Sequence, residues 1–299
     1  MFWLTAIIFS YLCFALASLG DKIVLAGPSK PKSYTFFVGI LSLLSVFIIP
    51  FVDFGFPSGI GLAFIILEAI VYVLGLYTMF YALEHFDVSK VIPTIGATQP
   101  IIIAVLSVFF WGYQEIKGNE LLAFIILLTG SVLISIDKSP KITKKALEIS
   151  LITATLFSLD FVFSKIVYTE MAFWQGFIWM RIFSFIFVLF FLLDKGFRGE
   201  MKEENSGFSK KTGAIFIFAQ MFGGLANILQ SWAISLVPVA YLAIMNSMKG
   251  IQYVFLFILV ILISSFFPKI LKEETSKKII IQKIVSILFI GLGLAILVL

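Results

Sequence analysis

Four charged side chains lie inside long apolar stretches of the sequence: Glu68, Asp160, Arg181 and Lys249. On insertion scales, an ionisable side chain in the middle of a membrane span costs roughly 2.5 to 3.5 kcal/mol, so each should face a cavity or a partner. A buried carboxyl group can take up and release a proton, and a buried ammonium can bind an anion. The four residues therefore indicate a proton site or a binding site for a polar solute, with a purely structural ion pair as the alternative.

The two acids are candidates for a proton site. Glu68 has Tyr72 one helical turn further along the same face. Its alternative role is a structural hydrogen bond to a neighbouring helix. Asp160 lies deep in its apolar stretch with two serines nearby. Arg181 is nearer one end of its stretch, where its side chain could extend to the membrane surface, so we leave it out of the predicted site.

The densest group of polar residues in any apolar stretch surrounds Lys249. One helical turn places Asn246, Lys249 and either Gln252 or Tyr253 on one face. A buried ammonium with hydrogen-bonding neighbours suits a substrate that carries a carboxylate or another anionic group. A salt bridge from Lys249 to one of the two intramembrane acids is the alternative, either permanent or opened by substrate or protons.

Two further groups complete the candidate site. Thr98 and Gln99 lie between two prolines, and prolines inside a span predict a bent helix whose freed carbonyl groups can face a binding site. Gln220 and Asn227 are seven residues apart on one stripe of their helix. That stripe either lines an aqueous cavity or holds helices together.

Membrane helices must position these residues. The 299-residue chain is 61% apolar and 13% charged, with a mean hydropathy of +1.09, whereas soluble domains are nearer half apolar and a quarter charged. A spanning helix needs roughly 20 apolar residues, and the runs lack the alternation of barrel strands. Ten transmembrane helices are predicted, at 3–20, 34–52, 58–83, 89–112, 119–136, 147–165, 172–193, 212–236, 238–267 and 280–299.

The basic residues predict the orientation of these helices. Of the 22 lysines and arginines, 18 fall in the odd-numbered connections, while the even-numbered ones hold Lys117 and Lys165. Because cytoplasmic loops are enriched in basic residues, the odd connections should be cytoplasmic and both termini should face away from the cytoplasm. We expect a multi-pass protein of the plasma or inner membrane.

A weak internal repeat divides the chain into two halves. A shift of 143 positions aligns 21–24 (DKIV) with 164–167 (SKIV), and a shift of 151 aligns 81–83 (YAL) with 232–234 (WAI). Each half holds five spans. Because five is odd, the second half enters the membrane from the opposite side, as in inverted-repeat transporters.

The pattern resembles the drug/metabolite transporter superfamily, in particular its ten-helix members built from two EamA-type halves. The resemblance lies in the ends of spans one and six (Ser18 to Lys22; Ser164 and Lys165), the helix pair joined at 81–93, and 109–115 (FFWGYQE) leading into 121–135. It implies alternating access, with a cavity formed by spans one, three, four, six, eight and nine.

The predicted fold is an all-α integral membrane protein with ten transmembrane helices as two inverted five-helix repeats. The repeats are 1–137 and 147–299, with a connecting loop at 138–146. The predicted function is secondary active transport of small organic metabolites: export of amino acids or related compounds, coupled to protons, leads. Uptake of a sugar or similar solute is the alternative.

The sequence lacks the motifs and catalytic residues that nucleotide-driven transporters and intramembrane enzymes need. No nucleotide-binding motif is present, and an intramembrane transferase would need paired acids for Mg²⁺ or a catalytic histidine, whereas His85 lies between two acids in a connection. We therefore expect no enzyme activity, catalytic residue, metal, cofactor or nucleic acid. The expected partners are the lipid bilayer, a small-molecule substrate and protons, and the sequence is compatible with a monomer.

Overall fold

The computed structural model of the chain describes residues 2–25, 31–57, 59–86, 88–135, 142–204, 210–266 and 277–298. All regular secondary structure in these ranges is helical. The side chains of Asp21 and Lys22, which carry part of the repeat, lie outside the described residues. So do several lysines on which the orientation prediction depends: Lys30, Lys138, Lys141, Lys269 and Lys272.

The first half of the chain begins with α1 and ends with α5. Gly59 and Gly112 have positive φ values of 60° and 73°, which glycine adopts without strain, and they lie at the start of α3 and directly after α4. The elements are α1 (Phe2–Leu25), α2 (Pro31–Ser42) with a 3₁₀ continuation (Leu43–Phe51), α3 (Gly59–His85), α4 (Val88–Trp111) and α5 (Gly118–Ser135).

The second half contains a short polar helix and a broken apolar one. The polar helix, α8, was not predicted because it is not an apolar run. The break divides the ninth predicted span at Met248 and Lys249. The elements are α6 (Lys144–Glu170), α7 (Phe173–Leu189) with a 3₁₀ end (Phe190–Leu193), α8 (Lys195–Glu204), α9 (Lys210–Leu236), a 3₁₀ turn (Val239–Tyr241), α10 (Leu242–Ser247), α11 (Gly250–Phe266) and α12 (Lys277–Val298).

The prediction of a helical membrane protein is confirmed. Nine helical stretches in the described part of the chain are long and apolar enough to cross a membrane, and the apolar part of α5, Gly118–Ile134, is shorter. Some predicted boundaries are wrong: span six, placed at 147–165, is the 27-residue α6, which continues through Lys165. A hydropathy pattern ends a span at the first charged residue. The helix itself ends where its backbone hydrogen bonds stop, which can be several residues further on.

The helices of the two halves pack against each other. α1 lies along α9, α3 along α6, α5 along α12, and α2 against α7. Small residues bring α5 and α12 close together. A Cβ atom at Gly293 would lie 2.7 Å from Leu127, and one at Gly130 would lie 2.8 Å from Ile290. The core therefore lies between the halves.

Hydrogen bonds hold several connections together at one end of the bundle. Gln175 and Trp179 on α7 donate to the carbonyl oxygen of Gly55, before α3, at 3.1 and 2.9 Å. The ammonium of Lys165, near the end of α6, donates to three carbonyl oxygens at the C-terminal end of α9, at 3.1, 3.1 and 2.6 Å. The starts of α3 and α7 and the ends of α6 and α9 therefore share one end.

Candidate functional site

An acid–arginine cluster, formed by Glu68, Asp160 and Arg181, lies between α3, α6 and α7. Arg181 Nη2 donates to Glu68 Oε1 at 2.6 Å, and both side chains are buried, with 6% and 0% of their surface exposed. Asp160 lies near enough to Glu68 for the two carboxyl groups to repel each other when both are charged. Two carboxylates are both acceptors, so they can share a hydrogen bond only when one of them holds a proton.

Aromatic rings enclose the guanidinium of this cluster. Arg181 Cζ lies 4.1 Å from the centre of the Tyr72 ring and 5.7 Å from that of Phe177. A desolvated contact of this kind is worth about 2 kcal/mol. Within the described part of the chain, Glu68 Oε2 and Arg181 Nε and Nη1 have no hydrogen-bond partner. The cluster therefore has hydrogen-bonding capacity left for a proton, water or a solute.

The three charged groups lie at a common depth. Glu68 is nine residues from the start of α3, Arg181 eight from the start of α7, and Asp160 ten from the end of α6. At 1.5 Å per residue, each lies about 12 to 15 Å from the end that these elements share. That distance is close to half of a hydrocarbon core of about 30 Å.

The expectation that Arg181 extends to the membrane surface is wrong. Its side chain is 6% exposed and is the ion-pair partner of Glu68. Charge balance could have identified it, because two intramembrane acids need a cation or protons. The salt bridge between Lys249 and an acid, given above as the alternative, is not formed among the described residues, since Arg181 pairs with Glu68 instead.

A second polar group, the lysine–amide cluster, surrounds Lys249. The Lys249 ammonium lies 3.5 Å from Gln99 Oε1 on α4, and no described carboxylate comes within 4.0 Å of it. Tyr253 and Asn246 belong to the same region: the buried hydroxyl of Tyr253 has no hydrogen-bond partner, and Asn246 is 2% exposed with Oδ1 unpaired.

The break between α10 and α11 positions Lys249. Ser131 on α5 holds both sides of the break, because its hydroxyl donates to the carbonyl oxygen of Ser247 at 2.6 Å and accepts from the Gly250 N–H at 2.9 Å. A Cβ atom at Gly250 would lie 2.4 Å from Ser131 Oγ, so a glycine is needed for this approach. On the other side, Tyr11 on α1 donates to the carbonyl oxygen of Met245 at 3.1 Å.

The remaining predicted site residues are not drawn into either cluster by a hydrogen bond. Thr98 bonds within its own helix, to the carbonyl oxygen of Thr94 at 2.7 Å. Gln220 donates to the Tyr34 hydroxyl at 3.1 Å, and Asn227 is half-buried on α9. α4 runs unbroken through its two prolines, and the break occurs instead between α10 and α11.

The two clusters meet along α6 and α4. Ser158, two residues before Asp160, donates to the backbone carbonyl oxygen of Gln99 at 3.2 Å. Four side chains are half-buried and keep part of their surface accessible: Tyr72, Asp160, Lys249 and Tyr253.

Comparisons with known proteins bear on the fold alone. No family model matches the chain, and no curated protein matches it. In structure, the chain is similar to a solved protein described only as "Crystal structure of protein", with a TM-score of 0.67 and 12% sequence identity. The match covers 98% of this chain and 96% of the solved one, so the whole arrangement of helices occurs in an experimental structure.

Proposed function

We propose that the chain is a secondary active transporter that resembles the drug/metabolite transporter superfamily, moves small organic metabolites by alternating access, and couples this movement to protons. The acid–arginine cluster carries the proposal. Two carboxyl groups beside one guanidinium balance their charge only when one of them holds a proton. In the apolar core this protonated state is favoured while the cluster is closed off from water.

The proton has a natural carrier in Asp160. Glu68 is fully buried and held by Arg181, whereas Asp160 is only half-buried. When the cluster opens to water, Asp160 releases its proton and the cluster gains one negative charge. Closing again then requires either a proton or a cationic group of a substrate, which couples the two movements.

The packing of the helices is compatible with ten spans in two inverted repeats. If α9 is the eighth span and α12 the tenth, exchange of the halves turns the α1–α9 contact into the α3–α6 contact. The same exchange maps the α5–α12 and α2–α7 pairs onto themselves. Two-fold related halves that enclose a site between them are the arrangement used for alternating access.

The test is transport by purified full chain in lipid vesicles loaded with a mixture of amino acids, sugars and organic acids. We expect an amino acid or related compound to leave the vesicles at a rate that depends on an imposed pH gradient, measured by mass spectrometry. Asp160→Asn should remove this gradient dependence. Glu170→Gln is the matched control, because Glu170 is an exposed acid at the end of the same helix.

The same assay separates the alternatives. Gradient-driven accumulation of a sugar would select uptake instead of export. Gradient-dependent flux that persists in both Asp160→Asn and Glu68→Gln would refute proton coupling through this cluster. No protein-dependent flux of any solute, from monodisperse protein in either orientation, would refute the transport function.

A further inference from the structure

The lysine–amide cluster offers hydrogen-bond donors to a ligand that differs from the one proposed for the acid–arginine cluster. We infer that Lys249 binds the carboxylate of an anionic or zwitterionic substrate, with the Tyr253 hydroxyl as a second donor. The inference rests on the proposed transport function for its physiological meaning, and it names the substrate class of that site.

The charge on Lys249 is unbalanced among the described residues. Among the described residues, the Lys249 ammonium has one hydrogen-bond contact, with the neutral side chain of Gln99 at the long distance of 3.5 Å. A second buried lysine, Lys165 near the end of α6, donates to three carbonyl oxygens at 3.1, 3.1 and 2.6 Å. An ammonium has three donors, so Lys165 is saturated whereas Lys249 retains donors for a ligand.

The intramembrane acids do not supply the missing charge. On α6, Ser158 faces α4, where it donates to the backbone of Gln99. Asp160 is two residues further on, about 200° around the helix, and lies against Glu68 on α3. α6 therefore separates the carboxyl groups from Lys249, and the cation remains available to an external anion.

A second donor, the Tyr253 hydroxyl of α11, lies against the same face of α4 as the Lys249 ammonium. The Tyr253 hydroxyl lies 3.3 Å from the position of a Cβ atom at Gly96, and Gly96 is one turn before Gln99. Lys249 lies at the break and precedes Tyr253 of α11 by four residues. The hydroxyl has no hydrogen-bond partner in the described part of the chain. An ammonium and a hydroxyl beside the same face of α4 can donate to the two oxygens of one carboxylate.

The backbone at the break is not the anion site. The N–H groups of Lys249, Gly250, Ile251 and Gln252 already donate to oxygen atoms of the protein. A ligand must therefore be recognised by side chains. The surrounding helices offer neutral partners, such as Gln252, which donates to Ser18 on α1 at 3.3 Å. One cation among neutral groups favours a single negative charge.

The experiment measures thermal unfolding of the detergent-purified full chain with acetate, benzoate and phenylacetate, each compared with its neutral amide. A ligand that binds the folded state raises Tm with its concentration, and we expect at least one carboxylate to raise Tm by about 2 °C or more at saturation. The matching amide should give no comparable rise. Lys249→Gln should remove the effect and Lys249→Arg should retain it, while Lys144→Gln, at an exposed lysine, should behave as wild type.

Three results would overturn the inference: amides that act as strongly as carboxylates, a carboxylate effect that survives in Lys249→Gln, or no carboxylate effect on wild type. If Lys249→Gln does not fold, the comparison of carboxylates with amides on wild type and on Lys249→Arg decides. The vesicle assay separates this inference from the transport proposal. Carboxylate solutes transported at wild-type rates by Lys249→Gln would refute the Lys249 site alone, whereas Lys249-dependent carboxylate binding without any flux would refute transport alone.

Discussion

The two polar clusters differ in how their charges are satisfied. In the acid–arginine cluster, Arg181 is paired with Glu68 at 2.6 Å and covered by Tyr72. In the lysine–amide cluster, Lys249 has one long contact with a neutral amide. A buried charge that lacks its partner lowers stability, so its presence is best explained by an external ligand. The difference supports the proposal that the first cluster carries protons and the second binds substrate.

The largest effect is expected from removing the cation of the acid–arginine cluster. Arg181→Met leaves Glu68 and Asp160 buried without a cation, which should destabilise the protein by about 3 to 5 kcal/mol, measured by unfolding in detergent. The double variant Glu68→Gln/Arg181→Met should recover part of this loss. Arg198→Met, at an exposed arginine, is the control. Equal stability of Arg181→Met and this control would contradict the ion pair.

Lys165 provides the intermediate case, a lysine that is buried and saturated. Lys165→Met leaves three carbonyl oxygens at the end of α9 without their donor, and we expect a loss of about 2 to 3 kcal/mol. Faster hydrogen exchange in the last turn of α9 should accompany it. An unchanged exchange rate there would show that the lysine does not hold this helix end.

Lys249→Met should not cause the loss of stability that is expected for Lys165→Met. Because Lys249 lacks a charged partner among the described residues, its replacement should change the free energy of unfolding by less than about 1 kcal/mol, and an increase in stability is allowed. The same unfolding experiment as for Lys165 measures it. A loss as large as that of Lys165→Met would show that Lys249 has a structural partner.

The smallest effect is expected at the exposed pair of Lys32 and Asp194. Its N–O distance, 2.6 Å, equals that of the buried pair, but 37% and 46% of the side chains are exposed. The Lys32 ammonium and the Gly196 N–H hold the pKa of Asp194 below its ordinary value. Its contribution is therefore full above a pH of about 3.9 and lost as the pH falls through the folded-state pKa.

Unfolding of wild type and Asp194→Asn between pH 2 and 7 measures this contribution. The two curves should differ slightly at neutral pH and converge as the pH falls through the folded-state pKa of Asp194, which lies below about 3.9. Curves that stay apart at the lowest pH would show that the effect of Asp194 does not come from its charge.

Hydropathy was sufficient to predict a helical membrane protein, because membrane spans are long and apolar, but not which side chains meet. Glu68, Asp160, Gln99 and Lys249 were all predicted as site residues, since a polar group in an apolar helix needs a reason. The partner of Glu68 was missed, because pairing depends on the depth and facing of three helices. The prolines of α4 predicted a bend there, whereas the break is held by Ser131, a contact from another helix.

The division of roles between the clusters is tested most directly by the movement of protons. Full chain in vesicles that contain a pH-sensitive dye is given a gradient of the metabolite that it transports, without any imposed pH gradient. Wild type and Lys144→Gln should change the internal pH as the metabolite moves, whereas Asp160→Asn should move the metabolite without protons and Lys249→Gln should move neither. Proton movement that remains in Asp160→Asn would contradict the account.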